Sequence, residues 1–216
     1  MKILPQSKAA KIRFGVLALA LLSLIVVCRL DRVAVYCLSD KREGDIVFQS
    51  LPHADLVDAI EAVTRSPWSH CGILVKKDGH WFVGEAIGEV RYTPLCVWMV
   101  RGRRSHIDAY RVTNLPPGFE ARIHAGMADF LEKPYDFRYA PDDSEIYCSE
   151  LVYKIYDRRL GIKLGVWEKL GDLNWKPMEP FIRSMEGGRL PLDREMITPV
   201  GLTRSPHVIR VFSNRD

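Results

Sequence analysis

Between two apolar runs the chain carries Lys77-Asp78-Gly79-His80. Asp-Gly between strand-like segments is the strongest short signal for a two-residue hairpin, because both central residues must adopt positive φ. The turn predicts strands over Ser69 to Lys76 and His80 to Ala86, antiparallel and in one register. With Lys77 opposite His80, Gly72 falls opposite Glu85 and His70 opposite Ile87. Side chains alternate along a strand, so His70, Gly72, Glu85 and Ile87 share a face. His70 and Glu85 become diagonal neighbours, about 7 Å apart at the backbone, and Gly72 leaves room between them. A three-residue turn would reverse the parity and separate the pair.

The remaining elements follow from periodicity. Gly44-Asp45-Ile46-Val47-Phe48 reads as a turn and a short buried strand. Ala54 to Arg65 sets Leu56, Val57, Ile60 and Val63 on one helical face and stops before Pro67. Ile107 to Val112 is another strand, and Phe119 to Glu132 an amphipathic helix. A polar, aromatic loop over 133–143 precedes a helix over Glu145 to Arg159, and Val208 to Phe212 is a last strand. Helices bracket a run of short strands, which defines an α+β domain with a mostly antiparallel sheet packed on helices. With 47% apolar and 27% charged residues, the bulk of the chain is not disordered.

The N-terminus has a separate character. Lys2, Lys8, Lys11 and Arg13 precede the apolar run Phe14 to Cys28, and no acid occurs before Asp31. This pattern predicts an N-terminal membrane helix acting as an uncleaved signal anchor, with a cleaved signal peptide as the alternative. Basic residues before the run place the N-terminus in the cytoplasm and the domain on the periplasmic, extracytoplasmic side of the inner membrane. Cleavage would instead make the chain secreted. The division is then 1–28 anchor or signal peptide, 29–43 linker and 44–216 folded domain, and a chain starting near Lys41 is expected to fold alone. Of 31 basic residues, four lie in this leader, which leaves 27 against 27 acidic. A neutral body offers no footprint for nucleic acid. Arg101, Arg103 and Arg104 read as a solvated surface loop. Five scattered cysteines do not make a disulfide scaffold.

Cys148 is the candidate nucleophile. Asp143 or Ser144 is a suitable N-cap, so Cys148 falls near the start of its helix. Unpaired N–H groups and the helix dipole lower a thiol pKa there. A carboxylate beside His70 would fix its tautomer and stabilise its imidazolium, which gives a Cys148, His70, Glu85 set. The acids Asp142, Asp143, Glu145 and Glu150 oppose thiolate formation. Cys28, Cys37, Cys71 and Cys96 read as small apolar residues. A zinc site from His70, Cys71, His80 and Cys96 matches no usual ligand spacing. No metal and no organic cofactor are implied, and the sequence sets no oligomeric state.

Three segments, Gly44-Asp45-Ile46-Val47-Phe48-Gln49, Ser69-His70-Cys71-Gly72-Ile73 and Tyr147-Cys148-Ser149-Glu150-Leu151-Val152, stand in this order with Gly84-Glu85-Ala86 between the last two. They resemble the circularly permuted papain-fold amidases related to NlpC-type hydrolases, in particular the YiiX-like branch, over about residues 44 to 212. The resemblance implies a permuted papain-like fold in which Cys148 is nucleophile, His70 base and Glu85 the orienting residue. It implies that Gly44-Asp45 packs beneath the site, and Ile197-Thr198-Pro199 resembles a C-terminal family element. The expected function is a membrane-anchored or exported cysteine hydrolase of amide bonds, in cell-wall peptide or small amino-acid amides. One alternative is a lipid acyltransferase or thioesterase with the same triad, since lecithin retinol acyltransferase resembles this fold. The other is a non-catalytic membrane-tethered binding module.

Overall fold

The computed structural model describes residues 8–140 and 142–215. In chain order the elements are α1 (Lys8–Cys37), β1 (Ile46–Gln49), α2 (Asp55–Thr64), β2 (His70–Lys77), β3 (His80–Ile87), β4 (Glu89–Pro94), α3 (Leu95–Arg101), β5 (Asp108–Val112), α4 (Phe119–Phe130) and α5 (Cys148–Ile155). They are followed by a short strand β6 (Glu168–Lys169), helix α6 (Glu179–Met185), a short strand β7 (Glu195–Met196), helix α7 (Pro199–Thr203) and β8 (Val208–Ser213). One sheet carries the order β4-β3-β2-β1-β5-β8, with every neighbouring pair antiparallel. The hairpin has the predicted register, Lys77 opposite His80 and Ile73 opposite Gly84. Asp78 and Gly79 have φ of 49° and 80°, as a two-residue turn of the primed type requires.

Period-two alternation sorts the inner strands onto two cores. Ile46, Phe48, Cys71, Ile73, Val75 and Ala86 face one way and bury against Ile123 and Met127 of α4 and Leu151, Val152 and Ile155 of α5. Val47, Leu74 and Val83 face the other way, against Trp98 and Met99 of α3 and Tyr36 of α1. Because β1 and β2 are covered on both faces, they read as continuous apolar runs.

Tyr36 changes the reading of the N-terminal segment. Residues 29–37, expected as linker, continue the helix and dock on the domain. Tyr36 is fully buried, and Arg29 and Arg32 donate to the carbonyls of Gly102 and Arg104. Burial of one aromatic ring and capture of two loop carbonyls explain why the chain does not leave the helix at Cys28. Among the described residues no helix is long and apolar enough to cross a membrane. The membrane helix is therefore not supported by the structure, while several side chains of Phe14 to Cys28 lie outside the described residues. A chain starting at Lys41 would lack Tyr36. Removing Tyr36 uncovers Trp98 and Leu95, so this truncation is expected to aggregate or melt early. Tyr36→Ala is expected to cost about 3 kcal/mol or more, read as a lower urea midpoint. An unchanged midpoint would mean that α1 is no part of the fold.

Candidate active site

Helix α5 begins at Cys148 itself. Tyr147 is extended, with φ −100° and ψ 167°, and Glu150 reaches back to its N–H at 3.4 Å, one arm of a capping box. The cap predicted at Asp143 or Ser144 lies instead at Tyr147. Ile146 is held extended, because its N–H donates to the Pro134 carbonyl at 2.9 Å and its carbonyl accepts from Asp136 N–H at 3.3 Å. Asp143 is drawn to Lys154 at 2.6 Å and to Arg158. Cys148 thus occupies the first helical position, where backbone N–H groups have no partner within the helix and the dipole favours an anion.

The start of β2 meets this helix start. Cys71 lies on the sheet face that α5 covers, and both Cys71 and His70 reach the Cys148 sulfur. The three residues singled out from the sequence are brought together. His70 Nε2 stands 2.5 Å from Glu85 Oε2, and both groups are buried. The Trp98 ring backs the imidazole, centroids 6.4 Å apart. Gly72 is required between the strands, because a Cβ there would come within 2.5 Å of Val83 Cγ1 and 2.7 Å of the Gly84 carbonyl. Glu85 has two further partners that the sequence reading missed. Thr93 Oγ1 donates to Oε1 at 2.5 Å, and Arg101 Nη2 donates to Oε2 at 2.5 Å. Arg101 and Arg103 are therefore not a solvated surface, since Arg103 pairs with Glu61 at 2.9 Å. A signal for this was available, a basic cluster close in sequence to a strand that carries a buried acid.

Hydrogen bonding to Cys71, opposed by burial, and then the bond and charge of His70 hold the Cys148 thiol well below the usual thiol range. Burial pushes the Cys71 thiol up, opposite in direction to Cys148. Burial disfavours the imidazolium, but Cys148 and Glu85 outweigh it and raise His70 to about 9. Burial likewise opposes ionisation of Glu85, yet His70 and Arg101 bring it down to about 2. The acids near the thiol are largely offset. Asp143 is paired with Lys154 and Arg158. Glu150, pushed up to about 7 by burial, also bonds Lys154 at 2.6 Å.

These shifts define a pH window. Glu85 is depressed from 4.5, so its stabilisation is present above 4.5 and is lost as pH falls towards 2. His70 is raised from 6.5, so its stabilisation is complete below 6.5 and is lost as pH rises through 9. The pair is expected to stabilise the fold most between pH 4.5 and 6.5. Thermal melts of wild type and His70→Ala should differ most there and converge towards pH 9 and above. A difference that does not vary with pH would contradict the ion pair.

Cys148 lines a cleft that is partly open to solvent. Its walls are mostly apolar, with Leu56, Ile60 and Val63 of α2 facing Phe181 and Ile182 of α6. Tyr135 and Tyr139 also line it. Ile197-Thr198-Pro199 forms another wall and braces the nucleophile helix. Ser149 Oγ donates to the Ile197 carbonyl at 2.8 Å, and Ile197 N–H donates to Tyr147 Oη at 3.0 Å. Gly44-Asp45 does not lie beneath the site. It sits at the far end of β1 from Gln49, the register partner of His70, where the Gly44 carbonyl accepts from Tyr156 and Asp45 pairs with Arg111 at 2.8 Å.

A cysteine at a helix start, set against a sheet that carries a His–carboxylate pair, is the arrangement of a papain-like cysteine hydrolase, here with the histidine strand before the cysteine helix. The family model for the permuted papain-like amidase enzymes, YaeF/YiiX, C92 family, matches residues 40–212. The chain belongs to this family of cysteine amidases. YiiX of Escherichia coli K12 is 32% identical over 171 residues, covering 78% of this chain and 84% of that protein. The crystal structure of metalloprotein YiiX from Escherichia coli O157:H7 is similar with a TM-score of 0.77 and 30% identity, over 81% of this chain and 98% of that one.

Proposed function

We propose that the chain hydrolyses an amide bond with Cys148 as nucleophile, His70 as general base and Glu85 as the residue that orients and charges the imidazole. The observation that carries this is the buried His70–Glu85 pair bonded to Cys148, which lines the cleft. The Cys148 thiolate attacks the carbonyl carbon, and N–H groups at the start of α5 stabilise the oxyanion. His70 gives its proton to the leaving amine. Water, deprotonated by His70, then attacks the thioester and releases the acid. Membership of an enzyme family sets the non-catalytic module aside.

The apolar walls bear on the substrate. They suit an apolar acyl group better than a polar cell-wall peptide, because burying unpaired polar groups is costly. They also favour a second reading, in which the acyl group passes to an acceptor other than water or comes from a thioester. A panel of N-acyl amides and acyl thioesters of increasing chain length tests both. Amine release that rises with chain length supports the amidase, and transfer to an added acceptor alcohol supports the acyltransferase. Activity only on polar peptides would contradict the apolar acyl group.

The related YiiX is described as a metalloprotein. Among the described residues of this chain no group of three or more His, Cys, Asp or Glu could hold a metal ion. His70 and Glu85 are bonded to each other, and Glu85 to Thr93 and Arg101. The site does not fit a metal, and no step uses one.

The location we propose is extracytoplasmic, with the N-terminal run as tether. Support comes from the basic residues before Phe14 and from exposed Val16, Leu17 and Leu19 on α1. The full chain should then sediment with membranes, whereas recovery in the soluble fraction would contradict the tether.

A further inference from the structure

Glu85 is fully buried, and both its oxygens are taken. Oε1 accepts from Thr93, while Oε2 is shared by His70 and Arg101, each at 2.5 Å. A cation therefore bears on the same oxygen that holds the imidazole. Arg101 is the last residue of α3, and the residues after it are pinned. Gly102 lies against the Gln49 carboxamide with no room for a Cβ. Arg103 N–H donates to the Ser50 carbonyl at 2.7 Å, and its guanidinium pairs with Glu61. Arg29 and Arg32 of α1 hold the carbonyls of Gly102 and Arg104. The backbone that carries Arg101 is thus held in place beside Glu85.

Charge balance gives this contact a consequence. Thiolate, imidazolium and carboxylate together carry one net negative charge in a buried site, and the guanidinium cancels it. The other groups around them are Cys71 of β2, Tyr135 and Tyr139 of the 133–143 loop, Glu150 of α5, and the exposed Arg91 of β4, register partner of Glu85. Among the described residues Arg101 is the guanidinium bonded to Glu85.

We infer that Arg101 is a positioning residue: acting through Glu85, it sets the pH range over which Cys148 and His70 stand as thiolate and imidazolium. The inference rests on the assignment of Cys148, His70 and Glu85 proposed above. Without the guanidinium the buried Glu85 carboxylate takes up a proton more readily, and a protonated Glu85 no longer supports the His70 imidazolium and with it the Cys148 thiolate, whose inflection then moves upward. Loss of a purely structural brace would lower reactivity without moving the inflections.

The test needs no substrate. The rate of iodoacetamide alkylation of Cys148 in the full chain is followed against pH by peptide mass spectrometry, for wild type, Arg101→Gln, Arg101→Lys, Glu85→Gln and the double variant Arg101→Gln/Glu85→Gln. Wild type is expected to titrate well below the ordinary thiol value of about 8.5. In Arg101→Gln the inflection should rise by about 1 pH unit or more, which is about tenfold slower alkylation on the acid side. Arg101→Lys, which keeps the charge, should stay close to wild type, and the double variant should match Glu85→Gln alone. An Arg101→Gln protein that is folded by circular dichroism and keeps the wild-type inflection overturns the inference. If Arg101→Gln does not fold, the double variant decides. It lacks the unpaired buried carboxylate, and an inflection displaced beyond that of Glu85→Gln overturns the inference. A wild-type Cys148 that titrates as an ordinary thiol sinks the site assignment instead, so the two failures are distinct.

Discussion

Cys148→Ser is expected to lower turnover by about 10⁴-fold or more while the fold survives. Losing one member of a nucleophile–base unit costs nearly as much as losing all of it. A hydroxyl is also a far weaker nucleophile at neutral pH, since neither the helix start nor His70 can ionise it as they do a thiol. The serine is nearly the same size, so the packing of Cys148 against β2 is kept. Cys71→Ser should retain most of the turnover, because a hydroxyl can still donate to the Cys148 thiolate. Cys96 is exposed, and Cys96→Ser should change nothing. Steady-state rates of the three variants check this. Loss of activity in Cys71→Ser with survival in Cys148→Ser would reverse the assignment.

Glu85→Gln is the second large effect, and it has two parts. The neutral amide leaves the Arg101 and His70 cations without their shared counter-ion in a fully buried position. Breaking one side of a buried ion pair costs about 3–5 kcal/mol, so the unfolding midpoint should fall clearly. An imidazolium without its carboxylate also forms less readily, and turnover should fall by about 10²-fold, the scale of a single acid–base contribution. Glu89→Gln, four residues on, is the control, because Glu89 is exposed at the start of β4. Equal effects at 85 and 89, in either stability or rate, would mean that the hairpin register does not define the site.

That register was the most legible feature of the chain. Asp78-Gly79 requires two positive φ values, and once they are granted the parity of His70, Gly72 and Glu85 follows without any tertiary information. The nucleophile helix was legible too, but its first residue was not. Ile146 and Tyr147 are kept out of the helix by Pro134 and Asp136, partners that sequence periodicity does not reveal. The strand β4 and helix α3 went unpredicted for a related reason. Leu95-Cys96-Val97-Trp98-Met99-Val100 is rich in strand-favouring residues, yet it is helical, because Leu95, Trp98 and Met99 meet the sheet at helical spacing. Propensity there yields to burial. Missing α3 also hid Arg101, whose role depends on where that helix ends. In the N-terminal segment the docking of α1 on the domain was not legible. Its apolar character suggested separation from the domain, whereas Tyr36 belongs to the second core.

The claim that Cys148 is an acylated nucleophile is tested most directly by trapping. The full chain is mixed with a p-nitrophenyl ester of a medium-chain fatty acid, quenched in acid during the first turnover, and mapped by mass spectrometry. The account predicts a burst of about one nitrophenolate per active site, one acyl group on the peptide containing Cys148, and neither in Cys148→Ser. An acyl group on Cys71 or elsewhere, or continued turnover by Cys148→Ser, would contradict it.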